Sequence, residues 1–454
     1  MPPSLKQRLL TGGSWVLIGK LVTAAANVLV SSLLARLLTS EGFGAYGLAF
    51  SLATAGALVS QLGLQQAVVR LVAESIGRER PGRARAAVRF VYRHVALGIL
   101  AVGAVILLGG GIWLARDLWD SPMLAAALTA VTAWMAVLSL QVLTSESFRG
   151  FQDLRLASIF GGVITGVVTL SALAILIARR GTASLDEVIW ISAAAAALSL
   201  VIGLTMVRRR LATLPADESI RAGEVFSISL PLWVSSVTAF LLSQSALWII
   251  GAFLPKEDVG LYFAAVRLVT LVSMPLILVN LVVPPFIAEL YARQETVRLQ
   301  RVLRSAATLA GLPAFAVLSA FVLFGAPIMG LVFGEMYRAG APILALLSVG
   351  YLVNVWTGSC GVTLSMTGHQ TVLMRITLAS GVLVVGGALL VVQRFGTIGV
   401  ATVVCATAIA QNLTMWIAAR YQTGLWTHAT IPTARDIRSL LSRAPSPPDE
   451  NSGD

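Results

Sequence analysis

The chain has 454 residues, of which 57% are hydrophobic and only 12% charged, with a mean hydropathy of +0.85. A soluble chain of this length divides into two or three domains and carries about 25% charged residues, so a water-soluble fold is excluded. The net charge of +12 does not indicate nucleic-acid binding, because the basic residues stand in short clusters between apolar runs, as the positive-inside rule requires.

Lys6 and Arg8 precede an apolar run from Gly12 to Leu37. The run is too long for a signal-peptide core and has no Ala-x-Ala cleavage site, so it reads as the first membrane span. Further spans are predicted at Gly44–Val69, Tyr92–Ala115, Met123–Phe148, Leu156–Ala178 and Leu185–Val207. A second set follows at Phe226–Phe253, Gly260–Pro284, Ser305–Val332, Ala341–Met366, Val372–Val392 and Ile398–Ala419. The expected fold is an all-α integral membrane protein of about 12 transmembrane helices. Its expected parts are a segment over 1–11, a six-helix bundle over 12–207, a linker over 208–225, a second six-helix bundle over 226–421, and a tail over 422–454. The tail is polar and Pro-rich, and is expected to be disordered.

Charge sets the expected orientation. Of the 33 Lys and Arg residues, 24 fall on the N-terminal side of this topology and 7 on the other, leaving Lys20 and Arg267 inside spans. Both termini are therefore expected in the cytoplasm. An internal repeat agrees: Leu38, Glu41, Gly44, Tyr46 and Ala49 match Leu254, Glu257, Gly260, Tyr262 and Ala265 at an offset of 216. Ala73, Glu74, Arg78, Arg83 and Arg89 match Ala288, Glu289, Arg293, Arg298 and Arg304 at an offset of 215. Two Arg-rich loops on one side require an even number of helices between them, and six fits. The expectation is two parallel six-helix halves related by an axis along the membrane normal, with chance matching in a biased alphabet as the alternative.

Cys360 and Cys405 lie inside apolar runs, and His94, His369 and His428 have no ligand spacing, so neither a disulfide nor a metal is expected. No paired-carboxylate, Ser/His/Asp or Cys/His constellation is present, and the longest outer connection, Arg179 to Ser184, is too short to carry an active site. The expectation is no catalytic residue, no cofactor and no enzyme activity.

The turn Ala35-Arg36-Leu37-Leu38-Thr39-Ser40-Glu41-Gly42-Phe43-Gly44-Ala45-Tyr46 resembles the turn between the first two helices of flippases for polysaccharides and lipid-linked oligosaccharides. These belong to the multidrug/oligosaccharidyl-lipid/polysaccharide exporter superfamily. Val259-Gly260-Leu261-Tyr262-Phe263-Ala264-Ala265-Val266-Arg267-Leu268 is similar to that family's second-half motif, and Phe333-Gly334-Glu335-Met336-Tyr337 and Thr367-Gly368 to two further positions. The resemblance covers residues 8–421. It departs at Ser245-Ala246-Leu247, where members often carry Asp or Arg. The resemblance implies two helix bundles forming a V that opens alternately to each side. It also implies export of polyprenyl-diphosphate-linked sugar units across a bacterial inner membrane, for O-antigen or exopolysaccharide synthesis. A polysaccharide polymerase and a chain-length regulator are candidate partners, beside the lipid-linked anionic glycan and membrane lipids. A cation-coupled multidrug exporter of the same superfamily, and a membrane glycan polymerase or ligase, are the alternatives.

Intramembrane ionisable residues are functional-site candidates. Here they are basic, which favours an anionic substrate: no Asp or Glu falls mid-span, and Glu146 comes closest to membrane depth. Lys20 should lie about 12 Å into its helix from Gly12, with Asn27 on the same face, and Arg267 about 10 Å in from Gly260. The two cations should sit roughly 8 Å apart in depth, a span comparable to a diphosphate. Lys20 could instead snorkel to headgroups, and Arg267 could pair with a carbonyl. Asn27, Gln61, Gln65 and Asn280 complete the expected substrate-binding set, with helix-packing contacts as their alternative role. The Arg-rich loops read as solvated or headgroup-bound faces.

Overall fold

A computed structural model describes residues 5–216 and 218–430. The tail beyond residue 430 lies outside the described residues. These fold as helices throughout, with no strand among them: α1 (Leu5–Leu37), α2 (Ser40–Gln61), α3 (Leu64–Gly77), α4 (Pro81–Val105), α5 (Pro122–Ala126), α6 (Leu128–Gly150), α7 (Leu154–Ser158), α8 (Ile164–Arg180) and α9 (Leu185–Ala212). There follow α10 (Ala222–Phe253), α11 (Lys256–Ala292), α12 (Thr296–Phe333), α13 (Ala341–Thr357), α14 (Cys360–Met366) and α15 (Gln370–Thr423). Among the described residues eleven helical stretches are long and apolar enough to cross a membrane. The last, α15, has 54 residues and would run about 80 Å as a straight rod, far beyond a bilayer core of about 30 Å. Gly396, at φ 58 and ψ −152, breaks it into two segments, so its length serves two crossings and the total of twelve stands.

Several predicted runs are subdivided. The run Gly44–Val69 breaks at Leu62 and Gly63, both left-handed (φ 48 and 74). A Cβ on Gly63 would meet the Ser229 carbonyl oxygen at 2.2 Å, so only glycine allows α10 so close. The third run begins earlier than expected, with Pro81 at the first helical position, where a missing N–H costs nothing. Its far end loosens into π-turns at Ile106–Gly110 and Trp113–Leu118, with Gly109 at φ 140. A π-turn at Ile159–Val163 joins α7 to α8. The tenth run, Ala341–Met366, breaks after Thr357 at Gly358 (φ 72). Hydropathy alone cannot place such breaks, because the residues on both sides of each are equally apolar.

The chain forms two compact units. The first comprises Met1–Thr270, Ala320–Leu347 and Gly381–Cys405, and the second comprises Leu271–Ser319, Ser348–Ser380 and Ala406–Asp454. The boundary passes through α11, α12, α13 and α15.

In the first unit, α2 crosses α11 where the two copies of the repeat meet. A Cβ on Gly44 would lie 1.8 Å from the Lys256 carbonyl oxygen, and one on Gly260 would lie 3.1 Å from that of Ser40. The paired glycines of the repeat therefore bring two backbones into direct contact, as small residues do between membrane helices. Aromatic rings close around the crossing: Phe43 meets Phe263 at 5.5 Å and Tyr337 at 5.6 Å. The side chain of Thr39 caps α2 by accepting from the Gly42 N–H at 3.1 Å. A separate apolar core, including Leu71, Val88, Val91, Leu143 and Phe148, joins α3, α4 and α6.

In the second unit, the segment after α15 folds back as a strap. Leu425 is buried among Val283, Ile287, Leu290, Leu299 and Leu303. The Trp426 N–H donates to Gln300 Oε1 at 2.9 Å, the Thr427 hydroxyl to the Thr357 carbonyl at 2.6 Å, and the Ala429 N–H to the Trp356 carbonyl at 2.8 Å. Thr308 and Thr430 exchange two bonds, of 3.0 and 2.9 Å.

The α2–α11 crossing yields a stability prediction. Gly44→Val places its first side-chain atom inside a backbone carbonyl, and overpacking of this kind costs about 3 kcal/mol or more. The purified variant should melt well below wild type, or fail to accumulate in the membrane. Gly77→Ala, where an added Cβ meets nothing within 4 Å, should match wild type in the same thermal scan.

Candidate functional site

A cavity of about 360 Å³ opens within the first unit. Its walls are helix faces read at helical spacing. From α1 come Val16, Gly19, Lys20, Thr23, Asn27, Val30 and Ser31, and from α6 come Trp134, Leu138, Gln141, Val142, Ser145, Glu146 and Arg149. The stretch through α7, its π-turn and α8 supplies Ala157, Ser158, Gly161, Gly162, Thr165, Gly166 and Thr169. Tyr46 and Phe50 from α2, Ser192 from α9 and Arg267 from α11 complete the lining.

Small residues hold these walls together. A Cβ on Gly19 would reach the Ser158 Cβ at 2.8 Å, one on Gly162 the Thr23 methyl at 3.0 Å, and one on Gly166 the Ala26 Cβ at 2.8 Å. Gln141 donates to the Phe160 carbonyl at 3.0 Å and contacts Thr165 Oγ1 at 2.6 Å, which satisfies carbonyls freed near the π-turn. Ser145 donates to the Ala157 carbonyl at 2.8 Å.

The α2–α11 crossing places Arg267. Gly44, Gly47 and Phe50 form a stripe on α2 at a spacing of three residues, facing Gly260, Phe263 and Arg267 on α11. A Cβ on Gly47 would touch the Phe263 ring at 3.0 Å, so the bare glycine seats that ring. The Arg267 guanidinium carbon lies 4.5 Å from the Phe50 ring centroid and 4.4 Å from that of Phe263. Cation–π attraction to two faces holds the charge without neutralising it. Among the described residues no carboxylate pairs with Arg267, and its Nε has no hydrogen-bond partner. The side-chain N–H groups of this planar fork suit an oxyanion.

The expected site residues divide three ways. Lys20, Asn27 and Arg267 line this one cavity. Lys20 and Asn27, seven residues apart on α1, share the face that lines it. Gln61 and Gln65 do not line the cavity. Gln61 is buried and donates to the Ser139 carbonyl at 3.2 Å, while Gln65 is buried with Oε1 unpartnered. Asn280 belongs to the second unit, where its side-chain oxygen accepts from the Ser359 hydroxyl at 2.6 Å. The Arg-rich loop is partly structural, since Arg80 and Arg83 form ion pairs with Glu218 and Glu224 at the start of α10.

Sequence reasoning missed Glu146 and Arg149 as cavity residues. They form an ion pair at 3.1 Å, with side-chain exposures of 19% and 44%. The signal was present as a polar stripe in α6, with Gln141, Ser145 and Arg149 four residues apart. A search limited to mid-span charges passes over a stripe that ends at a helix terminus. Trp134, Tyr46 and Phe50 were missed because aromatic residues at helical spacing read equally well as packing. The cavity therefore holds three cations and one carboxylate, a formal charge of +2.

Similarity to known proteins agrees with this architecture. A family profile described as "Polysaccharide biosynthesis protein" matches residues 9–291. Among curated protein sequences none matches. Among solved structures, the fold is similar to a multidrug-resistance MATE-family transporter of the MOP superfamily in an inward-facing conformation. That match has a TM-score of 0.76 and 15% identity, and covers 90% of this chain and 98% of that one. The lipid II flippase MurJ, in an inward closed conformation, aligns at a TM-score of 0.68 and 12% identity over 94% of this chain and 90% of its own. A MOP-superfamily transporter from Pyrococcus furiosus, described as having a binding pocket of reverse polarity, aligns at 0.62 and 16% over 92% and 96%. The fold is that of MOP-superfamily transporters, and with the family profile spanning more than half of its length the chain belongs to the polysaccharide biosynthesis protein family.

Proposed function

We propose that this protein is a flippase that moves a polyprenyl-diphosphate-linked sugar unit from the inner to the outer leaflet of a bacterial cytoplasmic membrane. The observation that carries the reading is Arg267, held between two phenyl faces with no carboxylate partner, in a cavity shared with Lys20 and Arg149. A diphosphate diester carries two negative charges, and the cavity carries a net +2. In a poorly solvated site such complementarity acts far more strongly than in water. Lys20 stands on α1, Arg149 in the last turn of α6, and Arg267 beside the aromatic residues, so a headgroup can engage cations on different walls. Trp134, Tyr46 and Phe50 offer faces for sugar rings, and Asn27, Gln141 and Thr165 offer hydrogen bonds to hydroxyls. Family membership supports the same reading. A polymerase and a chain-length regulator are the partners such a pathway requires.

A second reading rests on Glu146. A carboxylate in the cavity is what a cation-coupled drug exporter uses, and two of the similar folds are described as MATE transporters or MOP-superfamily relatives. Accelerated efflux of a cationic dye from cells expressing the protein, abolished by Glu146→Gln, would establish that reading instead.

Two outcomes are expected under the flippase reading. Arg267→Ala should lower translocation per inserted molecule at least tenfold while insertion stays near wild type, because its removal leaves no buried carboxylate orphaned. Arg267→Lys should keep partial activity, since the charge persists without the bidentate fork, and Lys20→Ala should lose less than Arg267→Ala. Fluorescent lipid-diphosphate accessibility in proteoliposomes measures this, and normal translocation by Arg267→Ala sinks the assignment. For orientation, reporter fusions after Ile220 and after Lys256 should report cytoplasm and exterior respectively, and agreement of the two on one side refutes the topology.

A further inference from the structure

The cavity contains one carboxylate where an anionic headgroup is proposed to bind. Glu146 Oε1 lies 3.1 Å from Arg149 Nη1, one helical turn further along α6. Lys20 lines the same cavity, from α1. Glu146 is the less exposed partner, at 19%. All three side chains line the same space, and among the described residues no other carboxylate does. An ordinary ion pair between residues three apart on a helix sits on a solvated face and contributes little. This one faces inward, beside the cations that an arriving oxyanion must reach.

We infer that Glu146 is a built-in counter-anion. It occupies Arg149, beside Lys20, while the cavity is empty, and it must yield that cation when a phosphate arrives. The inference rests on the anion-binding reading above and gives that site a property which the cations alone do not predict. A cavity of three unopposed cations would hold a dianion tightly and release it slowly, whereas a transporter must bind and let go in every cycle. An internal carboxylate lowers affinity by competing for the same donors. When the ligand leaves, the carboxylate re-forms its contacts, so the cations need not be rehydrated. Arg267, which forms no ion pair among the described residues and is fixed by Phe50 and Phe263, stays available throughout. The site thus has one permanent cation, Arg267, and one that is shared, Arg149.

The sign of one measurement separates this role from a structural one. If the Glu146–Arg149 pair merely stiffens α6 or orients Arg149, then Glu146→Gln leaves anion binding unchanged or weakens it. If Glu146 competes, the isosteric amide binds anions more tightly, on the order of tenfold, the scale of one partly buried charge-assisted contact. The full-length protein in detergent is titrated calorimetrically with inorganic pyrophosphate and with undecaprenyl diphosphate. The expected results are tighter binding of both by Glu146→Gln, slower release in stopped-flow dilution, and loss of the gain when Lys20→Gln and Arg149→Gln are added. Glu146→Asp, whose shorter carboxylate reaches the cations less well, should move in the same direction by a smaller factor. It serves if the amide variant fails to fold. Equal or weaker binding by folded Glu146→Gln overturns the counter-anion role. If wild type binds pyrophosphate and Arg267→Ala does not, while Glu146→Gln matches wild type, only this role falls. If neither wild type nor any variant binds either probe, the anion-binding reading falls with it.

Discussion

The direct contact between the backbones of α2 and α11, at Gly44 and Gly260, positions the rest of the cavity. In a bilayer, apolar side chains gain little by leaving lipid for protein, so helices associate through close packing and polar contacts. A pair of glycines permits the closest approach available, and here the approach is so tight that an added Cβ would fall inside a carbonyl. From that fixed point each helix runs down the same stripe. Gly47 seats Phe263, and Phe50 with Phe263 brackets Arg267. A charge that would otherwise seek headgroup water is thereby held at a set depth and aimed into the cavity. Trp233 and Trp248 of α10 bind the same helix from another side, donating to the Leu58 carbonyl at 3.2 Å and to Ser51 Oγ at 2.9 Å. This leaves α2 with little freedom to shift.

The facing wall follows a different rule. Where α1 meets α7 and α8, glycine alternates with Ser, Thr and Ala across the interface, and a π-turn at Gly162 (φ 153) bends the chain around the cavity. Such a turn frees carbonyls, and Gln141 answers one of them. Polar side chains in this region therefore have two roles at once, closing backbone bonds and lining the cavity. That overlap is why binding and packing roles could not be told apart from residue type alone.

The legibility of the chain varied with the physics of each feature. The membrane class, the number of crossings and the small-residue repeat were all visible, because length, hydropathy and spacing record them directly. Lys20, Asn27 and Arg267, which line the cavity, stood out because a polar group in an apolar run contrasts with its surroundings. Gln61, Gln65 and Asn280 stood out equally, yet in the structure Gln61 and Asn280 are spent on Ser139 and Ser359, and Gln65 is buried away from the cavity. Sequence gives a residue's polarity but not its azimuth about the helix once the helix breaks, and the break at Leu62–Gly63 lies between those two glutamines. Glu146 and Arg149 were hidden for the opposite reason. Near the end of a run they resemble interfacial charges, and only the tertiary arrangement turns their face inward.

The strap after α15 has a temporal consequence. Thr308, Gln300, Trp356 and Thr357 each bond residues 426–430, and Thr308 is separated from Thr430 by 122 positions. A ribosome adding roughly 5–20 residues per second takes about 6–25 s to cover that distance. Once residue 357 is made both α12 and α13 are complete, and until residues 426–430 follow, these groups lack the partners they will finally have. Water, lipid headgroups or the insertion machinery must satisfy them until then. The strap therefore closes only when the chain has been made as far as residue 430, and a chain stalled before residue 426 would leave those groups without these partners.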